Sequence, residues 1–392
     1  MGTQFLRRFG LGLLLLLAVP GGAVPIVPAA QPAPAPALVE RIPTVLLVDL
    51  SSGQTLYSRD PDRRFLPASI TKAMSALVAF ELIASGRLAE DQRFVVDDAS
   101  ARQWSGKGTS LFLSPGTEIT VADLLRGTTI VSANDAAIVL AQGALGSAAT
   151  WTAEMNAQAR ALGMTSSRFS TPNGWPDRGA TYVSANDLVL LADALIARHP
   201  VLYRRYFGQR TMDWNGRSFT SHDPFAGVVP GADGIKTGHT FEAGFNFLGS
   251  AQRNGRRLVL VIAGAQNEDL RAKASRSLVE WGYSQWDSRA LLRKGLPVGS
   301  ARVQGGDGRK VTVTVARDFS IAVPKGSHPR ITAQIIYHGP LRAPIAKGAA
   351  VAGLRIEIAG QPAHIVPLVA AAGIGKAGPL DRLINGLAGL VS

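Results

Sequence analysis

Apolar residues change their spacing several times along this chain, and each change marks an expected element. Val45 to Val48 is an unbroken apolar run, and Ser51-Ser52-Gly53-Gln54 is a turn. Residues 44–50 and 55–59 therefore read as a β-hairpin. From Ser69 to about Ser85 the pattern is helical, with Gly86 as the C-cap. Residues 91–120 are polar and contain glycine, with short strands expected at 93–96 and 110–113. Further helices are expected from Val121 toward Ile130, over 136–144, over 152–162, and from an N-cap at Ser184 through about Arg198. Residues 204–230 read as short strands and loops. Strands at 245–251 and 258–263 flank Asn254-Gly255, the strongest short hairpin signal. A helix over 268–285 carries Leu270, Ala274, Leu278 and Trp281 on one face.

The pattern changes near Leu291. Residues 291–368 alternate in short stretches between Gly/Pro turns, the mark of a small all-β domain. The end differs again. Leu380, Leu383, Ile384, Leu387, Leu390 and Val391 form an apolar stripe behind Pro379, as on a short helix that docks on the β domain or lies in a membrane interface. At the other end, Arg7 and Arg8 precede an apolar core at 11–19 and small residues, the pattern of an export signal too short to span a bilayer. Gly21-Gly22-Ala23 and Ala29-Ala30 are plausible cleavage sites. The expected organisation is a signal (1–23), a Pro/Ala-rich linker (24–40), a main domain (41–288), a β domain (291–370) and an amphipathic tail (378–392).

Composition narrows the chemistry. With no cysteine in 392 residues, disulfides, thiol catalysis and thiolate metal sites are excluded. None of the six histidines forms a helical metal-ligand pair with another, so neither metal nor cofactor is expected. The formal net charge of +13 favours anionic surroundings. The basic residues are scattered and no recognition helix or aromatic-basic platform stands out, so a membrane surface or cell-wall polymer fits better than nucleic acid. Genomic composition alone is an alternative source of this basicity.

Three short motifs carry the candidate chemistry. Ser69-Ile70-Thr71-Lys72 opens the first long helix. Residues three apart lie about 60° apart around a helix and about 4.5 Å apart along it, so Lys72 shares a face with Ser69. A desolvated lysine can serve as the base for a serine nucleophile. Ser132-Ala133-Asn134 sits at a turn between helices, and Lys236-Thr237-Gly238 begins a strand beside the second hairpin. Each triplet is weak alone; together and in this order they form the motif set of serine penicillin-binding proteins and class A β-lactamases. Ser184-Ala185-Asn186 duplicates the second motif, and there an N-cap role is the better reading. Asp135 and Asp187 read as helix-start charges.

Matching stretches run from Pro67 to Lys72, then Ser114-Pro115-Gly116, Leu124-Leu125-Arg126-Gly127, Ser132 to Asp135, Pro172-Asn173-Gly174, Asp233 to Thr240, and Trp281-Gly282. In these the chain resembles the low-molecular-mass penicillin-binding proteins that act as D-alanyl-D-alanine carboxypeptidases. The resemblance implies an α/β (α+β) transpeptidase-like domain with an antiparallel sheet and a helical cluster, then a small all-β domain and a C-terminal amphipathic helix. It implies Ser69 as nucleophile, Lys72 as base and Ser132 as proton relay. It implies Asn134, Lys236, Thr237, Gly238 and His239 at the substrate, with the N–H groups of Ser69 and His239 as oxyanion donors. Arg271 would help bind the substrate carboxylate, though a solvated helix arginine is an equal reading. The implied partners are peptidoglycan pentapeptide stems, β-lactams as inhibitors, and the outer face of the cytoplasmic membrane, reached through the tail from the periplasm. The stretch Phe219 to Phe225 departs from the family pattern, with His222 where another basic contact is usual.

Rival readings are a D,D-endopeptidase on the same residues, a β-lactamase, and a non-catalytic cell-wall scaffold. Between Ser132 and Lys236 the only glutamate is Glu154, inside an expected helix, and Glu242 follows Lys236-Thr237-Gly238 rather than preceding it. Fast antibiotic hydrolysis is thereby disfavoured.

Overall fold

A computed structural model describes residues 7–9, 32–359 and 363–378. The chain divides into two compact units, Ala33–Ser284 and a second containing Gln285–Ser392.

In the first unit, β1 (Thr44–Asp49) and β2 (Gln54–Arg59) form the opening hairpin. A 3-10 turn, Ala68–Ile70, leads into α1 (Thr71–Ala84). Every residue of α1 from Thr71 to Phe80 is buried, as expected of a helix apolar on all sides. It is the axis of the main core, wrapped by the helices that follow. β3 (Arg93–Val95) precedes α2 (Asp98–Trp104), and β4 (Glu118–Thr120) pairs back onto β3. The strand expected at 110–113 is not formed, and α2 lies in a stretch read as strand and loop. Asp97 caps α2 by accepting from the Ser100 N–H, a local signal outweighed by the polar composition.

α3 (Val121–Arg126) continues as a π turn, Gly127–Val131, to Ser132 in the left-handed region at φ 70°. α4 (Asn134–Leu145), α5 (Ala148–Ala161), α6 (Ala185–Arg198) and the short α7 (Pro200–Tyr206) follow, the last not foreseen. Ser184 caps α6, its Oγ accepting from the Asp187 N–H. A small hairpin, β5 (Thr211–Trp214) and β6 (Arg217–Thr220), precedes β7 (Ala232–Thr240), β8 (Gly244–Arg253) and β9 (Arg256–Ala265). These three join the first hairpin in an antiparallel sheet ordered β2-β1-β9-β8-β7. The Lys236-Thr237-Gly238 motif thus lies on an edge strand, hydrogen-bonded on one side only. α8 (Glu268–Gln285) closes the unit.

The second unit is all β among its described residues. β10 (Trp286–Leu292) starts five residues before the expected change at Leu291. β11 (Gly299–Gln304), β12 (Lys310–Val315), β13 (Phe319–Pro324), β14 (Ile331–Ile336), β15 (Leu341–Arg342), β16 (Ala350–Ile358) and β17 (His364–Ala370) complete it. β10 pairs with β13; the others form one sheet ordered β14-β16-β17-β12-β11-β15. Residues 7–9, within the segment read as an export signal, lie antiparallel beside β14. The expected C-terminal helix lies, apart from Gly378, outside the described residues.

Candidate active site

Ser69, Lys72 and Ser75 stack along one face at the start of α1. Ser69 is half-buried, and Lys72 and Ser75 are fully buried. Ser75 Oγ donates to the Pro172 carbonyl and accepts from Trp151 Nε1 at 3.1 Å, which fixes the 172–175 loop against the helix. Gly174 lets that loop approach closely. At φ +72° it occupies a conformation rare for L side chains, and a Cβ there would lie 1.9 Å from the Ala68 carbonyl oxygen.

The loop delivers a ligand for the lysine. Lys72 Nζ lies 2.8 Å from Ser69 Oγ, 2.8 Å from Asn134 Oδ1 and 2.7 Å from the Asn173 carbonyl oxygen. Burial holds its pKa well below the usual lysine range. The Lys236 cation lowers it further, and Asp135 opposes the shift. Asn134 Nδ2 donates to the Lys107 carbonyl at 2.9 Å, so the amide links the lysine to the loop after α2.

Asp135 does more than begin a helix. Its carboxylate accepts from Ser110 Oγ at 2.6 Å, Leu111 N at 3.0 Å and Leu113 N at 3.1 Å. It stands in the first turn of α4, as the helix-start reading expects, and it is also a buried tie that supplies residues 110–113 with the partners a strand would have given. Asp187 likewise accepts from Ser166 N and Ser167 Oγ.

On the other wall, β7 packs against the Ala68–Ile70 turn. A Cβ on Gly238 would lie 2.2 Å from the Pro67 carbonyl oxygen, so only glycine lets the strand approach the serine this closely. Asn246 on β8 accepts from Gly264 N at 2.8 Å and donates to the Leu66 carbonyl at 2.9 Å, tying the segment before the serine to the sheet. Lys236 and Thr237 are buried, while the exposed His239 ring stacks on Phe245 with centroids 3.9 Å apart. Burial and the Arg271 cation lower the Lys236 pKa to about 7, against the pull of Asp223. Burial raises Asp223 to about 6.

Arg271 is not a solvated helix arginine. It is 3% exposed, donates to Glu268 Oε1 at 2.6 Å, and has a buried Nε without a partner. His222 belongs with this group electrically. Burial lowers its pKa, Lys236 and Arg271 add to the shift, and Glu268 opposes it. The structure thus brings Ser69, Lys72 and Asn134 into one hydrogen-bonded cluster, and Gly238 against the turn that bears Ser69. Lys236, Arg271 and Asp223 form a charged group beside His222, and it acts on Lys72 through Lys236. Sequence reading gave no individual role to Asn173, Asn246 or Asp223. Asn173 acts through its backbone carbonyl, and the other two lie far along the chain from what they support.

A serine paired with a buried lysine, with Ser-x-Asn at a helix turn and Lys-Thr-Gly on a sheet edge, defines the class of serine penicillin-binding enzymes. Residues 35–267 match the D-alanyl-D-alanine carboxypeptidase family, and residues 286–376 match the C-terminal domain of penicillin-binding protein 5. A D-alanyl-D-alanine carboxypeptidase DacD from Salmonella typhimurium is 33% identical over 343 residues, covering 86% of this chain and 87% of that protein. Penicillin-binding protein 5 from Haemophilus influenzae has a similar structure, with a TM-score of 0.77 and 27% identity over 88% of this chain and all of that one. Penicillin-binding protein D2 from Listeria monocytogenes, solved with cefotaxime bound, superposes with a TM-score of 0.56 and 29% identity over 62% of this chain and 98% of that one. The chain belongs to the D-alanyl-D-alanine carboxypeptidase family and is a serine-type enzyme of cell-wall metabolism.

Proposed function

We propose that this chain removes the terminal D-alanine from peptidoglycan pentapeptide stems through an acyl-enzyme on Ser69. One observation carries the assignment of roles: the buried Lys72 amine is 2.8 Å from Ser69 Oγ, with a strongly lowered pKa. A neutral amine has two N–H groups and one lone pair. Its two hydrogens satisfy Asn134 Oδ1 and the Asn173 carbonyl, so the lone pair faces the Ser69 hydroxyl. Lys72 accepts that proton as Oγ attacks the D-Ala–D-Ala carbonyl. The backbone N–H groups of Ser69 and His239 receive the oxyanion. Ser132, on its left-handed turn, passes a proton to the departing D-alanine nitrogen. Asn134 has a second Nδ2 hydrogen for the substrate amide. Thr237 and Lys236, with Arg271 behind them, take the terminal carboxylate. Water then hydrolyses the ester. β-Lactams acylate Ser69 by the same route.

The test is labelling with a fluorescent penicillin, together with release of D-alanine from a pentapeptide. Wild type is expected to do both and Ser69→Ala neither; labelling that survives in Ser69→Ala overturns the assignment. Export to the periplasm and docking of the 378–392 tail on the membrane complete the reading. Its support is the basic-apolar start and the apolar stripe of the tail; among the described residues no helix is long and apolar enough to cross a membrane. A chain ending at Gly378 should leave the membrane fraction, and undiminished membrane association would refute the anchor.

A further inference from the structure

The site has a side wall that the mechanism above does not use. Trp104, from the end of α2, and Trp175, from the loop that supplies Asn173, meet edge to face with centroids 5.7 Å apart. The Lys107 ammonium lies 4.8 Å from the first indole and 4.9 Å from the second. All three side chains are half-buried. The cluster is built into the site. Lys107 offers its carbonyl to Asn134 Nδ2, and Trp175 follows by two residues the carbonyl that holds Lys72. The missing side chain of Gly108 leaves room between the two, since a Cβ there would lie 2.9 Å from Asn134 Nδ2 and 3.2 Å from Trp175 Cζ3.

No carboxylate lies within ion-pair distance of Lys107 among the described residues. Two indole faces orient its charge without neutralising it, because a π face attracts the ammonium yet leaves it able to meet an anion. The cluster therefore presents an oriented cation over apolar walls beside the residue that takes the substrate amide. The terminal carboxylate of the substrate goes to the opposite wall, at Lys236 and Thr237. What reaches Lys107 is consequently the acyl-donor part, upstream of the scissile bond.

We infer that Trp104, Lys107 and Trp175 form a specificity subsite for an anionic side chain on the residue preceding D-Ala–D-Ala. The aliphatic stem of that side chain lies on the indoles, and its carboxylate meets the Lys107 ammonium. This rests on the Ser69 reading, and the test separates the two. The full chain is given three peptides of the form Nα-acetyl-Lys-D-Ala-D-Ala, with the lysine Nε acetylated, succinylated or free. The succinylated peptide should be cleaved with a kcat/KM about tenfold above the acetylated one, the size of one good charge contact. The advantage should fall to about one in Lys107→Gln and largely survive in Lys107→Arg. Because each figure is a ratio within one protein, a general loss of activity cancels. Equal cleavage of the acetylated and succinylated peptides by wild type, preference for the free amine, or an advantage that persists in Lys107→Gln would overturn the subsite. Failure of benzylpenicillin to acylate wild type would instead overturn the Ser69 reading.

Discussion

Two lysines with lowered pKa values have opposite needs. In the proposed mechanism Lys72 must be neutral to accept the serine proton, and burial, with the Lys236 cation nearby, drives it toward neutrality. In the same proposal Lys236 must be charged to hold a carboxylate, yet burial and Arg271 bring it down to about 7. Lys236 is protonated below about 7 and neutral above. The kcat/KM for peptides ending in a free carboxylate should therefore rise with pH as Lys72 loses its proton, then fall through about 7 as Lys236 does. Asp223 is the countercharge that raises Lys236. Asp223→Asn removes that support, so the falling limb should move to lower pH. A pH profile of the variant measured with the same peptide checks this; a limb that stays in place or moves upward would separate Asp223 from the carboxylate site. A peptide ending in an amide should lack the limb in both proteins.

Glycines decide how closely elements approach the serine. Gly238 brings β7 against the Ala68–Ile70 turn, where a methyl group would sit 2.2 Å from the Pro67 carbonyl oxygen. That contact is with backbone, so the strand has to shift. Gly238→Ala should cost ~1–3 kcal/mol of stability. It should also slow acylation by benzylpenicillin at least tenfold, because the proposed oxyanion donors, the Ser69 and His239 N–H groups, sit on both sides of the displaced contact. Thermal unfolding and stopped-flow acylation read the two effects separately; a variant that acylates at the wild-type rate would show the approach to be unnecessary.

Local pattern made many of these elements legible in the sequence. The two strongest hairpins, the buried helix α1 and the Ser184 cap all follow from local chemistry and appear as expected. Several of the missed parts depend on distant residues. The loop at 110–113 has apolar residues spaced like a strand, but its N–H groups are claimed by Asp135, more than twenty positions away. α7 is only seven residues, too short for periodicity to register. At the site, Ser69 and Lys72 were visible because they share one turn of helix, whereas the Asn173 carbonyl carries no side-chain signature.

At the scale of the molecule, the two units have separate cores. One runs from Leu46 through α1 and the surrounding helices to Val261. The other is assembled from β-strand residues between Ala301 and Ala370. All residues proposed for acyl transfer lie in the first unit. Units with their own cores can fold alone. A chain that starts at Ala33 and ends at Gln285, where α8 stops, retains the whole of the first core, the serine-lysine cluster and the Trp281 Nε1 hydrogen bond to the Ala33 carbonyl. It should therefore unfold in one cooperative transition and be acylated by benzylpenicillin within about twofold of the full chain's rate, since no group that contributes to the barrier has been removed. A tenfold loss with the fold intact by circular dichroism would mean that the β unit takes part in shaping the site.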